Sequence, residues 1–169
     1  GSPPPGTVPV VEYYRADLDH YFITADPAEA AYVDANLSGI FKRTGLYFYA
    51  YLDPSLAPAS ARSVCRFYAS AAVQINSHWY SANLDECIAV LLNWPGIWNL
   101  ETAQAFWVQV PDSSGNCPAN TLPVYRFFNN RRDANHRYTV DLSVRRAMQN
   151  RAWTAEGTGP NSVAFCSAI

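Results

Sequence analysis

Three short stretches, Asp19-His20-Tyr21-Phe22, Ser77-His78-Trp79-Tyr80 and Asn135-His136-Arg137-Tyr138, contain all three histidines of the chain. Successive histidines are 58 residues apart both times. A fixed period in a rare residue marks an internal repeat, and a repeat constrains the fold more than any local propensity. Each histidine follows a turn-forming residue and precedes aromatic ones, which predicts that each opens a strand just past a loop.

The surrounding sequence extends the pattern. Unit one reads as a strand from Val8 to Tyr14, a turn, and a second strand from His20 to Thr24. Asp26-Pro27-Ala28-Glu29 then starts a helix, with Asp26 as cap, proline in the first helical position and Glu29 placed to close a capping box. Ser38-Gly39 stops that helix, and Phe41 to Tyr51 returns as strand. Unit two repeats the order with Cys65, His78, a helix capped at Asn83 with Glu86 three residues on, and a strand from Trp98. Unit three does so with Tyr125, His136, the cap Asp141, Trp153 and a last strand through Cys166. The units match at Tyr14/Tyr68/Phe128, at the histidines, at the caps and at Phe41/Trp98/Trp153. One extra residue between His20 and its cap reads as a bulge.

A unit of about 50 residues cannot bury its aromatic face alone, but three units can bury theirs together. The fold class expected is therefore α+β, with three pseudo-threefold strand-strand-helix-strand repeats in one domain over residues 8–169, the units covering about 8–53, 62–110 and 122–169. The alternative is a β-trefoil, against which the three capped helices argue. Gly1-Ser2 reads as a cloning remnant and Pro3 to Thr7 as a polyproline spacer, so residues 1–7 are expected to be linker behind another module.

Four cysteines, Cys65, Cys87, Cys117 and Cys166, lack metal-ligand spacing. Their even number fits two disulfides and a secreted or cell-surface location. Of three possible pairings the expected one is Cys65–Cys87, within unit two, and Cys117–Cys166, clamping unit three. A net charge of −2 and a charged fraction of 15% provide no basic face for nucleic acid. No apolar run is long enough to insert in a membrane.

The order Val-Tyr-Arg-Phe-Phe (124–128), Asn-His-Arg-Tyr-Thr (135–139) and Trp-x-x-Glu-Gly (153–157) resembles a tandem repeat family of uncharacterised function. That family occurs in secreted bacterial and fungal proteins, commonly as about three copies appended to extracellular hydrolases. Unit one departs from the pattern, with Glu12 for the arginine and Thr44-Gly45 for Glu-Gly; unit two has Glu101-Thr102. The resemblance implies an extracellular accessory module and supplies no chemistry.

The histidines admit three readings: satisfaction of buried backbone at strand entry, a ligand contact in each unit, or one metal held by all three rings. The aromatic load is heavy, with 11 tyrosines, 8 phenylalanines and 5 tryptophans. Indole and phenol rings stack on sugar C–H faces while Asn, Asp and Arg bond hydroxyls. The expected ligand-binding residues are His20, His78, His136, Trp79, Tyr80, Asn135 and Tyr138, with Trp94 and Trp107 as further plates. Trp98 and Trp153, in equivalent positions, read as core. Arg66 and Arg126 read equally as strand charges bonding Glu101 and Glu156. No nucleophile elbow, metalloprotease helix or nucleotide loop is present, so no catalytic residue, metal or cofactor is expected. The function expected is a non-catalytic module binding a glycan or cell-surface polysaccharide, a monomer tethered to a larger secreted protein. The alternatives are a secreted glycan hydrolase and a structural or protein-interaction appendage.

Overall fold

Each helix starts at the polar residue that the sequence offers as a cap. In the computed structural model, which describes residues 2–169, α1 spans Pro27–Asn36, α2 Leu84–Asn93 and α3 Leu142–Asn150. Asp26, Asn83 and Asp141 accept from the amides of Ala28, Glu86 and Val144 at 2.9, 3.2 and 2.9 Å. The capping box is closed differently from expectation. The cap's own N–H is taken by a hydroxyl two residues earlier: Thr24, Ser81 and Thr139 accept from Asp26, Asn83 and Asp141 at 3.1, 3.0 and 3.0 Å. Glu29 and Glu86 are thereby free for other partners.

The strands are β1 Val8–Arg15, β2 His20–Thr24 and β3 Lys42–Ala50, then β4 Arg62–Ala69, β5 Ser77–Ser81 and β6 Asn99–Val108. They end with β7 Thr121–Phe128, β8 His136–Thr139, β9 Thr154–Glu156 and β10 Val163–Ala168. The stretch Phe41 to Tyr51, expected as strand, forms β3 except for its end residues. The order strand, strand, helix, strand thus runs three times, but the sheets do not divide by thirds. One curled sheet runs β2-β1-β3-β10-β7-β8, with β9 on β7, and so joins the first and last parts of the chain. The middle part forms its own three-stranded sheet, β5-β4-β6. Single bridges at Tyr51–Trp107 and Gln109–Cys166 tie the two sheets together. The result is an α+β domain with a curled antiparallel sheet and three helices, in a trefoil-like arrangement rather than a row of separate repeat blocks.

The core lies where the closing strands meet. Phe48, Phe106 and Phe165 form a triangle with ring centroids 5.6 to 6.0 Å apart. Val10, Val64 and Val124 pack against it, all three fully buried. Alternation on a strand sends every second side chain inward, which is why the first strands contribute the valines two positions before Glu12, Arg66 and Arg126. Burying a phenylalanine of this kind contributes about 1.5–3 kcal/mol. The two disulfides have the expected pairing: Cys65–Cys87 holds α2 to β4, and Cys117–Cys166 holds the loop before β7 to β10.

Candidate functional site

The hydrogen-bond ladders show which residues of the three histidine motifs correspond. His78 stands opposite Tyr68, and His136 opposite Phe128. In the first hairpin the residue opposite Tyr14 is Tyr21, while His20 faces Arg15. The β1–β2 ladder is unbroken from Val11–Thr24 to Arg15–His20, so it holds no bulge. The expected equivalence of all three histidines is corrected: Tyr21 corresponds to His78 and His136, and His20 corresponds to Ser77 and Asn135. A one-residue slip moves a side chain to the other face of a strand. The two kinds of position consequently do different work.

His20, Ser77 and Asn135 meet in the interior. Ser77 Oγ lies 3.3 Å from His20 Nδ1 and 3.3 Å from Asn135 Nδ2. Asn135 accepts from the amide of Tyr21 at 2.7 Å and donates to its carbonyl at 3.1 Å, across 114 residues of sequence. His20 faces the Asn76 carbonyl at 2.9 Å and the Asp133 carboxylate at 2.7 Å. The residue before each member, Asp19, Asn76 and Ala134, has a positive φ of 53°, 55° and 47°. That left-handed step turns each loop inward before its strand begins. A second set of contacts lies one pleat further. Tyr138 Oη donates to the Tyr80 carbonyl and accepts its N–H, both at 2.8 Å. Tyr80 Oη in turn bonds the carbonyl of Ile23. Burial raises the pKa of both phenols, which stay neutral. Tyr80, Tyr138 and Asn135 are 2, 4 and 0% exposed, so they present no face on which a sugar ring could stack.

His78 and His136 belong to two matching clefts of about 420 Å³ each. Helix α1 and β2 supply one wall of the first, and β4, β5 and β6 the other; α2 and β5 supply one wall of the second, and β7, β8 and β9 the other. The floors are the same. Arg66 forks onto Glu29 at 2.6 and 2.8 Å and bonds Glu101 at 2.7 Å, which accepts from His78 Nε2 at 3.0 Å. Arg126 forks onto Glu86 at 2.8 and 2.9 Å and bonds Glu156 at 3.0 Å, which accepts from His136 Nε2 at 3.0 Å. The guanidinium lies over Phe22 in the first cleft and over Trp79 in the second. Burial raises the carboxylate pKa values, but hydrogen bonds from His78 and Arg66 more than reverse this for Glu101, bringing it down to about 2. Arg66 likewise outweighs burial at Glu29, Arg126 does so at Glu86, and His136 with Arg126 at Glu156; all three stay below the usual range. Burial, only partly offset by Glu101, holds His78 low as well. The Nδ1 atom of His136 is buried without a hydrogen-bond partner.

The walls are aromatic. Phe41, Tyr68 and Tyr32 line the first cleft; Trp79, Trp94, Trp98 and Phe128 line the second. Trp79 is nearly buried, Trp98 half-buried and Trp94 is 47% exposed. Trp153 is buried, as expected of core, while Trp107 is half-buried beside a separate hollow on the other side of α2. The third junction has a smaller hollow, of about 280 Å³, lined by Glu12, Gly45 to Phe48 and Tyr138 to Asp141. Its charges are exchanged: Glu12 replaces the strand arginine and is bonded by Arg137, at 2.9 and 3.0 Å, from β8. Arg137 lies 4.0 Å from the Tyr21 ring centre, and Arg151 closes the side by bonding Asp19 at 2.6 Å. Among the described residues, no group of three or more His, Cys, Asp or Glu side chains is placed to hold a metal ion.

The model of a family described as a domain of unknown function (DUF5648) matches residues 2–109 and again residues 57–163. The chain belongs to this family. The two matches overlap across unit two, so one DUF5648 model lies on the chain in registers displaced by about one unit. No curated protein and no solved structure matches the chain at a significant level. The clefts' helix glutamates and strand arginines were visible in sequence only as a cap residue and a possible strand charge. The signal that could have joined them was the spacing of Glu29 and Glu86 ahead of Arg66 and Arg126, with Val144 and Glu12 breaking the series.

Proposed function

We propose that the domain is a non-catalytic extracellular appendage of a larger secreted protein, acting by interaction and not by turnover. In this reading residues 8–169 are three pseudo-threefold units behind a short spacer at 1–7. The observation that carries it is the work done by the motif residues: His20, Ser77, Asn135, Tyr80 and Tyr138 bond one unit to another, and each cleft histidine holds a glutamate that is also bonded by an arginine. Ser77 Oγ stands 3.3 Å from His20 Nδ1, but both residues are buried, 2 and 3% exposed, and the four cleft glutamates are held below the raised range that a general acid needs.

Binding of a glycan or cell-surface polysaccharide is the second reading, and its support comes from the two aromatic clefts instead of the buried tyrosines. One experiment addresses both. The isolated domain is incubated with cell-wall polysaccharides, and retention and release of reducing ends are measured for wild type, Trp94→Ala and Trp79→Ala. Retention without release is expected, with Trp94→Ala folded but unretained. Trp79→Ala, at a packed position, is expected to cost about 3–5 kcal/mol of stability. Release of reducing ends that disappears in Glu156→Gln would establish a hydrolase instead.

A further inference from the structure

The two clefts carry more than shape. On its floor each sets two carboxylates, Glu29 with Glu101 or Glu86 with Glu156, against a single guanidinium; Arg15, which also lines the first, is paired with Asp17 at 2.9 Å. Burial keeps His78 from adding a proton's charge to the first cleft near neutral pH. The arginine donors are turned onto their own acids, and Arg126 gives a further bond to the Tyr80 carbonyl at 3.3 Å. Each histidine's Nε2 is likewise directed at a glutamate, while Nδ1 of His136 is buried without a partner beside the second cleft. The floors therefore offer acceptors, with two carboxylates to one guanidinium, between aromatic walls. A ligand suited to them must bring donors and favours positive charge, because carboxylates and ring faces both attract cations. At the third junction one carboxylate, Glu12, meets one guanidinium, Arg137, which leaves no excess of either charge.

We infer that the two clefts are saccharide subsites selective for an amino sugar carrying a free ammonium group. This rests on the reading of the domain as an interaction module. The C–H face of the ring lies on Trp94 and Trp98 in the second cleft, or on Tyr32 in the first, where Arg15 already lies over Phe41. Its ammonium and neighbouring hydroxyls donate to the glutamate pair. A lone alkylammonium such as a lysine side chain meets the charge but not the several acceptors spread around the floor. A neutral sugar meets the acceptors but not the charge.

The test is calorimetric titration, at low salt, of four soluble probes: a fully deacetylated glucosamine tetramer, its N-acetylated counterpart, a glucose tetramer and trilysine. The proteins are wild type and Trp94→Ala/Tyr32→Ala, whose substituted residues are 47 and 59% exposed, so the fold should be retained, as an unchanged melting temperature would show. The expected result is binding of the glucosamine tetramer at least tenfold tighter than the other three, lost in the double variant and weakened by salt. Equal affinity for the acetylated or glucose tetramer overturns the ammonium selection and leaves the interaction reading intact. Equal affinity for trilysine overturns the sugar. Glucosamine binding that survives the double substitution overturns the assignment to the clefts. No binding of any probe overturns the inference outright, while retention on whole polysaccharide judges the interaction reading separately.

Discussion

Glu12 and Arg137 form the most buried ion pair of the molecule, with side chains 3 and 9% exposed, and they join the first strand to the last histidine motif across 125 residues. The carboxylate receives two charged hydrogen bonds from the guanidinium and a third from Thr44 Oγ1 at 2.9 Å. Glu12→Gln preserves volume but leaves a guanidinium buried without its counter-charge. Removing one partner of such a pair costs about 3–5 kcal/mol. The Tyr21 ring beside Arg137 offsets about 0.5–2 kcal/mol if the contact tightens. A net loss of about 1–4.5 kcal/mol is a large part of the roughly 5–15 kcal/mol that holds a domain of this kind. For a chain of this length it lowers the melting temperature by about 2–18 °C. The double variant Glu12→Leu/Arg137→Met removes both charges and should recover most of the loss, since an apolar pair of similar volume often equals a buried ion pair. Urea unfolding of wild type, both singles and the double closes the cycle. A Glu12→Gln loss below about 1 kcal/mol, or a double variant worse than either single, refutes the argument that this pair locks the third junction.

Tyr138→Phe deletes the hydroxyl that serves both backbone groups of Tyr80, so a loss of about 1–3 kcal/mol is expected in denaturant unfolding, with the same β content by circular dichroism. The untreated protein should show no titratable thiol, and replacing Cys117 and Cys166 by serine should cost about 2–5 kcal/mol; four titratable thiols in the untreated protein would contradict the pairing. Stability should also fall with acid. Glu101 lies at 4.5 when unfolded and about 2 when folded, so its contribution is complete above pH 4.5 and lost as pH falls towards 2. His78, lowered by burial from 6.5, has the same sign and begins to act as pH drops below 6.5. Glu101→Gln should flatten the profile between pH 4.5 and 2, and an unchanged profile would show that the folded pair is not formed.

The parts of this protein that could be read from the chain are those governed by neighbours a few residues apart. Asp26-Pro27, Asn83 and Asp141 specify helix starts because a cap needs only a side chain and the next two or three amides. Strand order within each hairpin follows from equally short connections, whereas the cysteine pairing, across 22 and 49 residues, is one of three possibilities and is favoured only because it keeps each bridge within a unit. Register was not legible in the first hairpin. Three histidines at one spacing pointed to one role, but a slip of one residue reverses the face of a strand, and only the cross-strand ladder distinguishes His20 from Tyr21. The division of sheets was hidden too, because pairing of β3 with β10 depends on how ends of the chain meet and not on either segment. The clefts lay furthest from view. Each takes a glutamate from the helix of one unit and an arginine from the strand of the next, and Glu29 and Arg66 acquire a shared environment only when the units close around their common phenylalanine core.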